Sequence, residues 1–207
     1  NRGYAVLQVN FRGSSGYGKQ YLNAGDREWG GKMHSDLLDG KNWLVDQGFS
    51  NKKKVAIFGG SYGGYATVVG LAFTPHEFCC GVDIVGPSNL ISLSQTIPPY
   101  WAPFKAIWHQ RVGNPDTEEE FLKSRSPLFK AGQIVRPLLI AQGANDPRVK
   151  QAESDQIVSA LRARGLQVEY VLFPDEGHGF ARPENRLRFC TIMERFLHKY
   201  LGGKVER

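Results

Sequence analysis

Apolar residues fall into two alternating rhythms along this chain. Short, near-continuous runs occur at Tyr4-Ala5-Val6-Leu7-Gln8-Val9, Lys54 to Phe58, Gly81 to Val85, Pro137 to Gln142 and Val168 to Phe173. Runs of this length between turn signals predict strands buried on both faces. Between them, apolar residues recur at helical spacing. Met33, Leu37 and Leu44, with Leu38 and Val45 beside them, predict a helix from Met33 to Gln47 that Gly48 ends. A small-residue helix is expected from about Tyr62 to Phe73, closed by Thr74-Pro75, and another from about Gln151 to Arg164. Phe189, Ile192, Met193, Phe196, Leu197, Tyr200 and Leu201 mark the last helix, with Pro183 where a first turn tolerates it. From Gly86 to Gly132 the rhythm breaks: Pro87, Pro98, Pro99, Pro103, Pro115 and Pro127 punctuate a stretch that holds Trp101 and Trp108. This predicts an inserted, mostly helical cover at about residues 87–132. Strands alternating with helices imply an α/β fold, a mostly parallel sheet flanked by helices. In such sheets function gathers at the C-terminal ends of the strands.

Composition narrows the classes without choosing among them. The 207 residues, 41% hydrophobic and 22% charged, suit one globular core. The longest apolar stretches are strand-length, so no membrane-spanning helix and no membrane partner are expected. No signal peptide is visible, and a start on Asn1 without methionine leaves an upstream segment open. The net charge of +6 is modest, and Lys52-Lys53-Lys54 reads as a solvated strand entrance. A nucleic-acid partner would require a basic face with groove-reading or stacking elements, and none is evident. Cys79, Cys80 and Cys190 are odd in number and lack metal-ligand spacing, which points to reduced thiols and fits a cytoplasmic setting.

The chemistry starts at Gly59-Gly60-Ser61-Tyr62-Gly63-Gly64, directly after an apolar run. This G-x-S-x-G pattern is that of a nucleophile elbow, in which a serine sits on a strained strand-to-helix turn while Gly59 and Gly63 admit neighbouring backbone. The same small residues also suit a plain structural junction. Two later residues shift the balance. Asp146 stands three residues after Gly143, beyond the Leu138-Leu139-Ile140-Ala141 strand, and His178 follows the strand ending at Phe173. The order Ser, Asp, His is that of the α/β-hydrolase triad. A serine hydroxyl needs a base to take its proton, and a carboxylate on the far ring nitrogen fixes the imidazole tautomer. Asp175 and Glu176 compete for that place, but residues so near His178 in a tight loop rarely reach the ring nitrogen facing away from the serine. Asp146 is therefore the expected acid. The Tyr62 backbone amide is the expected oxyanion donor. No pair of histidines has ligand spacing, so neither metal nor cofactor is called for.

Taken together, Asn10-Phe11-Arg12-Gly13-Ser14, Trp29-Gly30-Gly31, the elbow, Gly143-Ala144-Asn145-Asp146-Pro147-Arg148-Val149 and Glu176-Gly177-His178-Gly179-Phe180 resemble the catalytic domain of the prolyl oligopeptidase family of serine peptidases. The similarity leans toward its acylaminoacyl-peptidase and dipeptidyl-peptidase branches and runs over nearly the whole chain. It implies an α/β-hydrolase fold, with Ser61 as nucleophile, Asp146 as orienting acid and His178 as base. It implies that Arg148 binds a substrate carbonyl, and it makes Pro87 and Trp101 candidate pocket walls; a surface salt bridge for Arg148 and a core role for Trp101 are the plain alternatives. The resemblance also implies an N-terminal β-propeller and early hydrolase strands, including the one that carries the second oxyanion donor, and no counterpart of these is expected within residues 1–207. By that resemblance Val6 lies in the fourth strand and Ile57 in the fifth, with the missing third between them, so a gap inside the sheet is expected. The partner that fills it would be the missing N-terminal part of the same protein or a second copy. The expected function is hydrolysis of short peptides through an acyl-enzyme. A carboxylesterase with the same three residues, and an inactive fold-completing fragment, are the alternatives.

Overall fold

The computed structural model describes residues 2–206. After a short helix α1 (Lys19–Asn23) and the longer α2 (Lys32–Asp46), four strands alternate with helices. Strand β1 (Ile57–Gly60) leads into α3 (Tyr62–Phe73), which returns to β2 (Gly81–Ile84). The connection from β2 is long, holding α4 (Leu90–Gln95), a 3-10 turn at Pro99–Phe104, α5 (Lys105–Arg111), α6 (Glu119–Arg125) and a second 3-10 turn at Pro127–Gln133. It ends in β3 (Leu138–Gly143), followed by α7 (Gln151–Arg162), β4 (Val168–Phe173) and α8 (Pro183–Leu201). The sheet order is β1-β2-β3-β4 and every pairing is parallel.

Alternation along the strands divides the core into two layers, because successive side chains point to opposite faces. Leu138 and Ile140 pack with Ile57, Val68, Leu71, Ile157 and Leu161 on the α3 and α7 side. Leu139 and Ala141 pack with Val82, Phe173, Phe189 and Phe196 on the α8 side. Helix α3 is buried continuously from Gly64 to Ala72. A helix apolar all round needs cover on both sides, and here the sheet lies on one side while Leu90, Leu93, Val112 and Leu122 of the long connection pack on Tyr65 and Val69 on the other.

One expected strand is not formed. Tyr4 to Val9 takes part in no ladder, and Val6 is 89% exposed. The segment is held by single contacts instead: the Tyr4 hydroxyl donates to the Gly202 carbonyl at 2.5 Å, and Val9 lies against Gly40. A strand exists only where its backbone groups find a neighbour, and among the described residues β1 pairs on one edge alone, with β2. Phe58, in the middle of β1, is exposed. The strand foreseen at Lys54 to Phe58 also sits later, at Ile57–Gly60, so that it runs into the elbow itself. Pairing there begins earlier with single bonds, from the Cys79 amide to the Val55 carbonyl at 2.8 Å.

Candidate active site

Three loops at the C-terminal ends of β1, β3 and β4 converge. At the first, Ser61 joins β1 to α3 with φ 58°, a left-handed conformation rare for a side-chain-bearing residue. Its amide donates to the Ile84 carbonyl at 2.8 Å, and its carbonyl accepts from the Tyr65 amide at 3.0 Å, so the turn is pinned to β2 and to the first turn of α3. The elbow glycines have separate reasons. A Cβ on Gly59 would stand 2.5 Å from the Gly63 carbonyl carbon, whereas a Cβ on Gly63 would meet open space. The close approach foreseen at both positions is therefore a constraint on Gly59. Gly64 is constrained too, since its Cβ would fall 2.1 Å from Asp83 Oδ1.

Asp146 leaves β3 in a tight turn. One carboxylate oxygen accepts from the amides of Arg148 at 2.8 Å and Val149 at 2.9 Å. The other oxygen lies 2.7 Å from His178 Nδ1, and His178 Nε2 lies 2.9 Å from Ser61 Oγ. The Asp146 side chain is fully buried while the His178 ring stays slightly exposed. Amides that fix the carboxylate fix its second oxygen on the imidazole as well, which selects the tautomer with hydrogen on Nδ1 and an acceptor at Nε2.

The loop carrying His178 is held from below. Glu176 accepts from the Ala181 amide at 2.9 Å, the Arg182 amide at 3.0 Å and Asn185 Nδ2 at 2.8 Å. Asp175 is engaged by Arg182 and Asn185, both at 3.0 Å. Both acids near His178 in sequence are thus turned to the loop base. Phe180 stacks between Phe173 and Phe189, with centroids at 4.5 and 5.1 Å. The Asp146 and His178 loops touch at Gly143, where a Cβ would lie 2.1 Å from the Gly177 carbonyl oxygen.

The Tyr62 amide opens α3, and first-turn amides have no intrahelical acceptor. With the positive end of the helix dipole behind it, this N–H suits a developing negative charge beside Ser61. The Tyr62 ring packs on Phe11 and Trp29, centroids at 5.1 and 4.6 Å. Trp29 in turn lines an apolar pocket of about 320 Å³ together with Ile97, Trp101, Phe104, Ile107 and Trp108. Arg148 is exposed, with its guanidinium carbon 6.0 Å from the Trp101 ring centroid, and among the described residues it forms no ion pair. Trp101 thus lines this pocket, whereas Pro87 is buried outside its lining, next to Ser88 and Asn89, whose amides donate to Glu153.

Sequence reading missed Trp29 and Trp108 as pocket walls, although the Trp29-Gly30-Gly31 motif drew notice. It also missed Asp83, fully buried on β2 opposite Gly59, which accepts from the Gly86 amide at 2.9 Å. Burial raises its carboxyl pKa to about 7 against that single bond. A charged residue inside an otherwise apolar strand was the available signal. Among the described residues no cluster of histidine, cysteine and carboxylate side chains is arranged to hold a metal ion.

Known proteins share this architecture. A dipeptidyl aminopeptidase BIII of Pseudoxanthomonas mexicana is 62% identical over all of this chain and 30% of its own length. A dipeptidyl peptidase family member 6 of Caenorhabditis elegans is 56% identical over all of this chain and 28% of its own. The solved structure of a Mycobacterium tuberculosis puromycin-hydrolyzing peptidase superposes with a TM-score of 0.89 at 29% identity, covering 96% of this chain and 30% of that one. The chain thus spans about 30% of the length of these relatives, and its four parallel strands with flanking helices are part of an α/β-hydrolase fold. The family model described as the prolyl oligopeptidase family matches residues 1–204. This chain belongs to the prolyl oligopeptidase family.

Proposed function

We propose that this chain carries the reacting groups of a serine peptidase that cleaves short peptides. The observation that supports it best is the unbroken line of hydrogen bonds from Asp146 through His178 to Ser61 on a strained elbow. In this reading His178 Nε2 takes the Ser61 proton as Oγ attacks the scissile carbonyl carbon, and Asp146 stabilises the imidazolium. The carbonyl oxygen, now negative, receives the Tyr62 amide. Collapse breaks the C–N bond, His178 returns the proton to the leaving amine, and water repeats the sequence to free Ser61. Arg148 offers fixed donors to a substrate carbonyl beside Trp101, and the aromatic pocket takes an apolar side chain.

The names of the two relatives above 50% identity favour release of dipeptides from a free amino end. The test compares dipeptidyl arylamides with short-chain esters, alongside labelling by a fluorophosphonate. Turnover of the amides, with labelling lost in Ser61→Ala, is the expected result. An esterase-only profile would replace the peptidase reading, and absent labelling would reduce the chain to a fold-completing piece.

A further inference from the structure

The loop that carries Asp146 and the segment that leads to the pocket wall belong to different crossovers, yet one side chain joins them. Glu153 is in the first turn of α7, three residues beyond Lys150, and is 2% exposed. Its Oε2 accepts from the amides of Ser88 and Asn89, both at 2.9 Å, and from Gln156 Nε2 at 2.9 Å. Its Oε1 accepts from the Ser92 hydroxyl. Its backbone carbonyl accepts from Ser88 Oγ at 2.6 Å. Apart from the bond with Gln156 of its own helix, these contacts are directed at the start of α4, the segment that leaves β2 beside the elbow and runs on to Ile97 and Trp101.

The same network continues to Asp146. Ser154, next to Glu153, donates to Gln142 Oε1 at 2.9 Å, and Gln142 Nε2 donates to the Val149 carbonyl at 3.1 Å. Val149 closes the circuit by donating its amide to Asp146 Oδ1. Gln142, Ser154 and Glu153 are all buried, so the chain of bonds runs through a region without competing water. Buried networks with every member satisfied rigidify what they connect.

We infer that Glu153 is a positioning residue that holds the segment running from Ser88 to the pocket wall at Ile97 and Trp101 against the Asp146–Arg148 loop, and so governs peptide binding rather than Ser61 reactivity. This rests on the reading that the pocket and Arg148 receive the peptide. Helix capping alone would not need Glu153: Asn89 Oδ1 already accepts from the Ile91 amide at 3.0 Å. A carboxylate reaching over from α7 adds a fixed distance between two walls of one site.

The test uses the whole 207-residue chain, with Glu153→Ala and, as a milder change, Ser92→Ala, which removes one donor and leaves the backbone amides bonded. In Glu153→Ala, KM for a dipeptidyl arylamide should rise about tenfold or more, the scale of a lost charged hydrogen bond. Labelling of Ser61 by a small fluorophosphonate should stay close to wild type, and amide exchange at Ser88 to Leu93 should quicken. Ser92→Ala should move KM in the same direction by a smaller factor. Unchanged KM and exchange in a folded Glu153→Ala would overturn the inference, as would parallel loss of labelling and binding, which marks general damage. A wild-type chain that labels but cleaves no peptide would sink the peptidase reading instead, and exchange at Ser88 to Leu93 would still decide the role of Glu153.

Discussion

Ser61 and Val85 leave neighbouring strands with positive φ, at 58° and 50°. For a β-branched residue such as Val85 this conformation costs on the order of 1–3 kcal/mol, and surrounding bonds must hold it. The Val85 amide donates to Ala141 at 2.9 Å and the next amide, of Gly86, to Asp83. Two substitutions separate steric need from sequence motif at the elbow. Gly59→Ala drives a methyl into the Gly63 backbone and should lower the unfolding free energy read from urea titration by about 1–3 kcal/mol. Gly63→Ala meets open space inside a helix and should hold or raise it by roughly 0.5–1 kcal/mol. Asp83 makes a pH prediction with an unusual sign. Its folded pKa, near 7, lies above the unfolded value of about 4, so the folded state holds the proton more tightly. Stability from this group is complete below about pH 4 and is lost as pH rises toward 7. Asp83→Asn, which keeps an acceptor for Gly86, should flatten the fall in Tm over that window and raise Tm at pH 8. A Tm profile parallel to wild type would contradict this.

Elements legible in the sequence are those whose burial is complete within the chain. β4 and α3 fall at the residues their patterns indicate, because Val168 to Phe173 has β3 beside it and α3 is enclosed on both sides. Tyr4 to Val9 shows the reverse: its apolar pattern records a buried strand, but with no neighbour it forms none. The region from 87 to 132 could be read only as helical cover, since its prolines mark breaks without saying that 3-10 turns fill the gaps. At the site, Ser61, Asp146 and His178 were visible because each follows its own strand. Glu153 was not, as a lone glutamate near a helix start ordinarily signals helix polarity and nothing more. The loops also distinguish acids that sequence distance could only rank. Asp146→Asn should lower turnover by about ten-thousandfold with Tm little changed. Glu176→Ala should leave the chemistry and lower stability, since it strands the Ala181 and Arg182 amides. Thermal melts and kcat on the two purified variants check both.

For the molecule as a whole, the β1 edge is the exposed seam. Unpaired backbone along β1, with Phe58 exposed on it, invites another strand. The 207-residue chain should therefore show concentration-dependent association by light scattering, and its melting temperature should rise with concentration. A sharp, high-temperature transition of a monomer would count against an incomplete sheet. The hydrogen bond between Ser61 and His178 spans 117 positions, and the loops it joins stand on β1 and β4, at opposite edges of the sheet. Such contacts close late, because parallel pairings of distant segments form slowly. Reactivity at Ser61 is then a clock for folding: on dilution from urea, helical signal should return first, and fluorophosphonate labelling only when the last strand has docked.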